Sequence, residues 1–599
     1  MYIKNKFLTF LITFLLLSGV SLTSYAAVVA NIKITHPEHN LAEVEITFER
    51  AENNSLQFKL PTWRTGRYEI LKLANGVRNF QVKDKFDNEI QWQKTDKSTW
   101  QVNDVNGKTL TVSYQLYANQ LGKRTRHIDD SHAFLDASAV FMYTPTQRNS
   151  SYKINLSVPK LWRSVSGLKT GENSHQFLAQ NYDVLVDSPI ETGIHKSKKF
   201  KVDGRDYEVV VWGKGNYDFE KMTDDLKTLV KQPEKIWIDY PFSRYIFMVH
   251  ATSGAGGATE HINSTIIQRP RYAFNSRKDY LGFLSTASHE LVHTWNVKHY
   301  RPEGLVPYDY QQENYTSLLW LAEGSTSYLQ SQLLMRGELM TSKEYLTELA
   351  KRITGYLHKP GRESQTVAQA SFDNWISEGG DYAQNNSVNI YSEGFLVSWL
   401  LDFDILNATK LKKSYRDVHR LLYKNFSLPH AYSETDVKTV LKEVTGTDYN
   451  NWWNKNVHGH PKPNFEQLLL KAGLAMSYGK KKKNKSWSGI KTKQHNNGLE
   501  IIGIEKNSPA WITGLSLNDI IIAIDGLRIK DNNLKDRLAN FKAGAKVEFT
   551  FFRRDQLMKK SLRLSEIPKE TLKIKPIEKP SVQQKAFFKA WTGLDFPKK

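Results

Sequence analysis

The 599-residue chain contains no cysteine. That one absence excludes disulfide staples, thiolate metal sites and thiol nucleophiles together. Long apolar runs are missing as well. After residue 26 nothing approaches the ~20 consecutive apolar residues that a membrane-spanning helix needs. Acidic residues are short, 62 against 83 basic ones, which leaves a formal net charge of +21 at pH 7. A basic excess of this size attracts anionic surfaces. No helix-turn-helix, finger or stacking-platform pattern accompanies it, so nucleic acid is not an expected partner. Solvated positive charge is the plainer account, with weak contact to anionic envelope surfaces as the alternative.

What is present begins with residues 1–26, MYIKNKFLTFLITFLLLSGVSLTSYA. Lys4 and Lys6 precede an apolar run from Phe7 to Val20, and small residues end the segment at Ala26. This is the layout of a secretory signal peptide with cleavage after Ala26. The product is expected to be exported, periplasmic or secreted, and soluble once cleaved. From 27 to 200 the pattern is β. Val44, Ile46 and Phe48 alternate, as do Leu110, Val112, Tyr114 and Leu116 after the turn dipeptide Asn106-Gly107. Repeated short alternating strands predict an all-β domain.

Residues 201–475 hold the chemistry. His289, Glu290 and His293 stand in HELVH, and Glu323 follows in WLAEGSTSY. On a helix, positions i and i+4 share a face, so both imidazoles can reach one metal ion, with Glu290 beside a water held there. Leu281, Leu284, Ser288, Leu291, Val292 and Trp295 recur at helical spacing. A second periodic stretch through Leu318, Leu319, Ala322, Leu329 and Leu333 would bring Glu323 to the histidines as a third ligand. Two nitrogens and one oxygen suit a catalytic rather than a structural zinc.

The segment HTWNVKHYRPEGLVPYDYQQENYTSLLWLAEGSTSYL resembles the core of the glycyl aminopeptidase family, gluzincin metallopeptidases with a C-terminal PDZ domain. Trp295, Asn296, Lys298, Arg301, Pro302, Tyr315, Thr316, Leu319, Trp320, Glu323, Gly324 and Thr326 match its pattern, and His299 replaces a customary Arg. LPTWRTGRY, residues 60–68, is similar to the family's signature in the β domain.

The resemblance implies an α+β multidomain protein with an N-terminal all-β domain, a thermolysin-like, mainly α catalytic domain and a C-terminal PDZ-like β domain. It also implies one zinc per chain, held by His289, His293 and Glu323, with Glu290 as the base. Gly257, Ala258, Glu260 and His261 fall on a Gly-Gly-x-Glu-His motif, with Ala258 in place of the second Gly, which makes Glu260 the candidate anchor for a substrate's α-amine and the four residues a substrate-binding set. Tyr391 aligns with a tyrosine that donates to the oxyanion. The second carboxylate expected after Glu323 is absent, since Ser327 stands there.

Residues 476–568 open with the basic run Lys480–Lys483 and Lys485, then resemble a PDZ domain, with Ser488, Gly489 and Ile490 where a carboxylate-binding loop belongs. In the tail, 569–599, Ser581 and Gln584 form a capping-box pattern, Val582, Phe587 and Trp591 line one side, and Gly593 is the stop. Peptide or protein substrates are the expected partners, with a C-terminal peptide at the PDZ loop. Three functions stay open at this stage. One is an aminopeptidase for small first residues such as Gly or Ala, another a PDZ-assisted endopeptidase, and the third a non-catalytic envelope protein that binds peptides.

Overall fold

The computed structural model describes residues 28–51, 53–479, 486–529, 533–567 and 572–597. The expected signal peptide and the lysine run at 480–485 lie outside the described residues. The architecture is α+β, an all-β N-terminal part, a mainly helical catalytic part and a C-terminal β part. Among the described residues no helix is long and apolar enough to cross a membrane.

The N-terminal part is built on a seven-stranded sheet in the order 169–170, 176–179, 152–157, 28–33, 41–48, 110–117 and 77–84. Val44, Ile46 and Phe48 pair with Tyr114, Val112 and Leu110, and all six are buried. The period-2 alternation therefore does what it predicts, with one face in the core and one in water. A four-stranded sheet beside it carries β1 (Arg126–Ile128), β2 (His132–Leu135) and β3 (Ile190–Gly193).

The catalytic part starts with a five-stranded sheet of β4 (His195–Val202), β5 (Arg205–Trp212), β6 (Arg244–Thr252), β7 (Gly257–Glu260) and β8 (Ser264–Pro270), ordered β4-β5-β6-β8-β7. β5, β6 and β8 are parallel, while β4 and β7 lie antiparallel at the two edges. Central parallel strands are covered on both faces and read as continuous apolar runs, as Tyr245 to Val249 do here. β7 brings Glu260 to the edge.

Four helices then matter for the site: α1 (Arg277–His293), α2 (Ser325–Arg336), α3 (Gly380–Asn386) and α4 (Ile390–Ala408). Ser276 caps α1 by accepting from the Asp279 amide, and Tyr280, Phe283, Leu284, Ala287 and Leu291 bury its inner face. The sequence pattern carries that helix on to Trp295, but it ends at His293. Trp295 instead stacks on Trp237 with centroids 4.6 Å apart and donates from its indole to Asp239 O. This fold-back lets residue 296 reach the site.

The C-terminal part is threaded through the catalytic part. β9 (Leu474–Tyr478) leads out to a sheet of β10 (Ile490–His495), β11 (Gly498–Ile504), β12 (Ile520–Ile524), β13 (Lys546–Arg553) and β14 (Gln556–Arg563), in that order, with the short helix α5 (Pro509–Thr513). β15 (Leu572–Pro576) then returns and pairs antiparallel with β9, Tyr478 opposite Leu572. The chain closes with α6 (Val582–Thr592), whose Trp591 is fully buried and donates from Nε1 to the Tyr328 hydroxyl on α2 at 3.0 Å. The capping box and the left-handed Gly593 stop are present. Val582 is not on the packed side: it is 86% exposed, and Phe588 takes the place the pattern assigned to it.

Candidate metal centre

His289 and His293 share the last turns of α1, one turn apart, and their Nε2 atoms lie 3.0 Å from each other. Glu323 reaches them from outside the helix, with Oε2 3.2 Å from His293 Nε2 and 3.6 Å from His289 Nε2. It does not come from a regular helix, as the periodicity suggests, but from a π turn, Trp320–Gly324, that opens into α2. Such turns occur mostly as local widenings at functional sites. Asn296 holds this one in place, its side-chain amide donating to Leu321 O, Ala322 O and Thr326 Oγ1.

Both rings are fixed through their other nitrogen. His289 Nδ1 donates to Gln330 Oε1 at 2.8 Å and His293 Nδ1 to Asn296 O at 2.7 Å. Each Nε2 is therefore left with a lone pair, and both point at the Glu323 carboxylate. Two lone pairs and a carboxylate brought this close repel each other unless a cation lies between them. Their separations match the ~3.3 Å edge of a tetrahedron drawn with zinc–nitrogen bonds of about 2.0–2.1 Å. The donor set fits zinc. Gln330 fills the role of the carboxylate that is missing from the sequence, where Ser327 stands instead. It lies on α2, seven residues past Glu323 in the π turn.

Two further carboxylates approach His293, with oxygens of Glu260 and Glu290 within 4.8 Å of a His293 ring nitrogen and of each other. Glu290 is 5% exposed and its Oε2 has no hydrogen-bond partner. Burial first, then the neighbouring Glu260 and Glu323, raise its carboxyl to about 8.

Glu260 ends β7, is 3% exposed, and its Oε1 is likewise unpartnered. Its nearest cation, Lys298 Nζ, is 3.9 Å away and instead engages Asp187 Oδ1 at 2.7 Å. The floor beneath Glu260 is Gly66 of the LPTWRTGRY segment. A Cβ there would lie 2.4 Å from Glu260 Oε2, so the N-terminal part forms a wall of the cleft. Gly257 is required for a related reason. At φ +100° it leaves room for the Arg124 guanidinium, which donates to Thr259 Oγ1 at 3.0 Å.

The other sequence candidates are placed as follows. Ala258 is half-buried between Gly257 and Thr259, paired with Ile267 of β8. His261 turns inward, with Nδ1 3.3 Å from Asp187 Oδ1, and belongs to the Lys298–Asp187 cluster. His299 donates to Thr294 O at 2.6 Å.

Tyr391 opens α4, where Asn389 caps by accepting from the amides of Tyr391 and Ser392. Its ring centroid is 6.0 Å from that of His289. The ring is partly exposed at the rim, while desolvation of the hydroxyl and then Glu323 raise its pKa. Close packing of two glycines makes this possible, since a Cβ on Gly394 would lie 2.6 Å from Trp320 O in the π turn. In the C-terminal part, Ser488, Gly489 and Ile490 stand at the head of edge strand β10. Ser488 O and Gly489 O accept from the amides of Ala510 and Glu505, and Gly489 has φ +82°.

The profile of the Peptidase M61 N-terminal domain matches residues 30–194, that of M61 glycyl aminopeptidase residues 282–397, and that of a PDZ domain residues 489–564. No curated protein sequence matches. A crystal structure of an aminopeptidase N family protein from Idiomarina loihiensis is similar over 94% of this chain and 100% of its own, with 25% identity and a TM-score of 0.87. An M1 zinc metallopeptidase from Deinococcus radiodurans has 13% identity over 73% of this chain and 94% of its own, with a TM-score of 0.47. Yeast LTA4 hydrolase in complex with bestatin has 16% identity over 74% of this chain and 69% of its own, also with a TM-score of 0.47.

Proposed function

We propose that this chain, a metallopeptidase carrying M61 N-terminal, M61 glycyl aminopeptidase and PDZ domains, is a zinc-dependent aminopeptidase that removes small first residues such as Gly or Ala from exported or envelope peptides. The observation that carries the reading is the pair of buried carboxylates, Glu260 and Glu290, each presenting an unpartnered oxygen beside His293. An endopeptidase needs one such group, to move protons. A second, set at the end of an edge strand, matches the cationic amine of a free N-terminus.

His289, His293 and Glu323 would hold one zinc, which when bound acidifies a water and polarises the scissile carbonyl. Glu290 takes the water's proton at its buried Oε2 and gives it to the departing amine. Glu260 accepts from the substrate ammonium at Oε1, and Lys298, engaged by Asp187, leaves that oxygen to the substrate. The cut then falls one residue in. Backbone groups of β7 hold the chain extended by strand addition. Tyr391 donates its hydroxyl to the oxygen on which negative charge develops.

Preference for a small first residue rests on the family resemblance. Export rests on residues 1–26. The PDZ loop at 488–490, at the head of edge strand β10, is the proposed seat for a C-terminal carboxylate.

The test is a panel of peptides with free and acetylated N-termini, assayed with and without a zinc chelator. Chelator-sensitive release of Gly or Ala from free peptides alone is expected. Internal cleavage of acetylated peptides would replace this reading with an endopeptidase.

A further inference from the structure

We propose that His127, Asp129 and His132 form a second metal-binding site, for zinc or another first-row divalent cation, at the seam between the β1–β2 hairpin and the catalytic sheet. One ligand atom from each of the three lies within 4.8 Å of the other two. None of the three belongs to the peptidase centre.

The case rests on how the rings are held. Glu191 on β3 is fully buried and stands between two imidazoles, with Oε1 2.9 Å from His132 Nδ1 and Oε2 2.9 Å from His250 Nε2. A carboxylate in that position accepts from both, so His132 carries its proton on Nδ1 and keeps a lone pair on Nε2. That Nε2 is buried and has no hydrogen-bond partner, and His132 itself is 0% exposed. His127, 8% exposed, has the same defect at Nδ1. Buried polar atoms are rarely left unpaired, and a cation answers both orphans at once.

The arrangement repeats the peptidase centre, where each metal-facing imidazole donates from its other nitrogen to an oxygen. Such outer partners set the tautomer and orientation of metal-bound histidines. Trp212 fixes the ring further, stacked on His132 with centroids 3.5 Å apart. Asp129 is half-buried, and its Oδ1 accepts from the Ser131 amide and hydroxyl and the His132 amide. Its orientation is thereby fixed, with Oδ2 left for the cation and a solvent side left for a fourth ligand. Two imidazoles and a carboxylate select zinc-like ions over calcium or magnesium.

The place suggests a bracing role. The segment leading into β1 touches the edge of the catalytic sheet twice. Arg124 donates to Thr259 beside Glu260, and Leu121 O accepts from Gln268 on β8 at 2.8 Å. A cation at 127–132 would stiffen that segment against the strand that ends in Glu260.

The experiment strips the full-length protein with a chelator and titrates it with cobalt or zinc, counting bound metal by mass spectrometry and reading the cobalt absorption bands. Wild type is expected to bind two equivalents. Asp129→Asn and His127→Gln, milder than any change at fully buried His132, should each bind one and keep the peptidase-site spectrum. His289→Ala should also bind one, and its melting temperature should still rise with zinc. The proposal is overturned if wild type binds a single equivalent that His289→Ala abolishes, or if Asp129→Asn with His127→Gln still binds two.

Discussion

Glu290 and Gln330 stand on opposite sides of the same histidine pair, and replacing them should separate catalysis from metal retention. Glu290→Gln keeps the shape and removes the proton acceptor. Zinc content is expected to stay unchanged while kcat falls ~10²-fold to 10⁴-fold, the usual worth of general acid–base catalysis. Gln330→Leu removes the acceptor at His289 Nδ1. Loss of such an outer partner weakens metal binding by about 10–100-fold, to be measured by chelator competition. The first of these residues is legible from HELVH alone, because i, i+1 and i+4 is a local relation. Gln330 is not, because its position depends on the phase of the π turn that precedes it. Gly66 is further still from being legible. Nothing within residues 60–68 says that a glycine there will floor the carboxylate of Glu260, and only the docking of the two parts does so.

Among the elements, the strands and both ends of α6 are readable in the sequence, and the end of α1 is not. Alternation in 41–48 and 110–117, and the continuous apolar run in β6, follow from which faces are covered. The end of α1 at His293 follows from tertiary contacts, the Trp295–Trp237 stack and the use of Asn296 as a staple. α4 carries two predictions. Gly394→Ala forces a methyl group toward Trp320 O, and overpacking of this kind costs ~1–3 kcal/mol. A lowered melting temperature is expected, with a kcat loss that reflects displaced Tyr391, three residues earlier on the same helix.

Glu393 lies beside them, 8% exposed, its carboxyl raised by burial to about 7 although Arg362 and Lys359 pull the other way. An unfolded chain releases that proton near pH 4.5. The folded state is therefore not penalised below pH 4.5, and as the pH rises to about 7 it loses up to ~3 kcal/mol relative to a neutral side chain. Glu393→Gln should raise the melting temperature at pH 8 and leave it unchanged at pH 4.5, as scanning calorimetry would show.

At the scale of the molecule, the PDZ sheet is an insertion between two paired strands rather than an appendage. Because Tyr478 and Leu572 face each other across β9 and β15, a two-residue Asn-Gly hairpin can replace everything between them. That excised protein is expected to fold and to cleave short free peptides, although it loses the bonds from Asp381 and Asn385 of α3 to Ile504. Deleting 572–599 instead should leave insoluble protein in an expression assay, since Trp591 and Phe588 are core residues.

The buried Trp591 also has a consequence in time. A ribosome delivers it some three hundred residues after the histidines of HELVH. The helix that carries Gln330, into which the Glu323 π turn opens, packs on Trp591 through Tyr328, so the metal centre gains this support only once those three hundred residues have been added. A truncated translation product would hold every residue of the peptidase motif and lack the wedge that firms it.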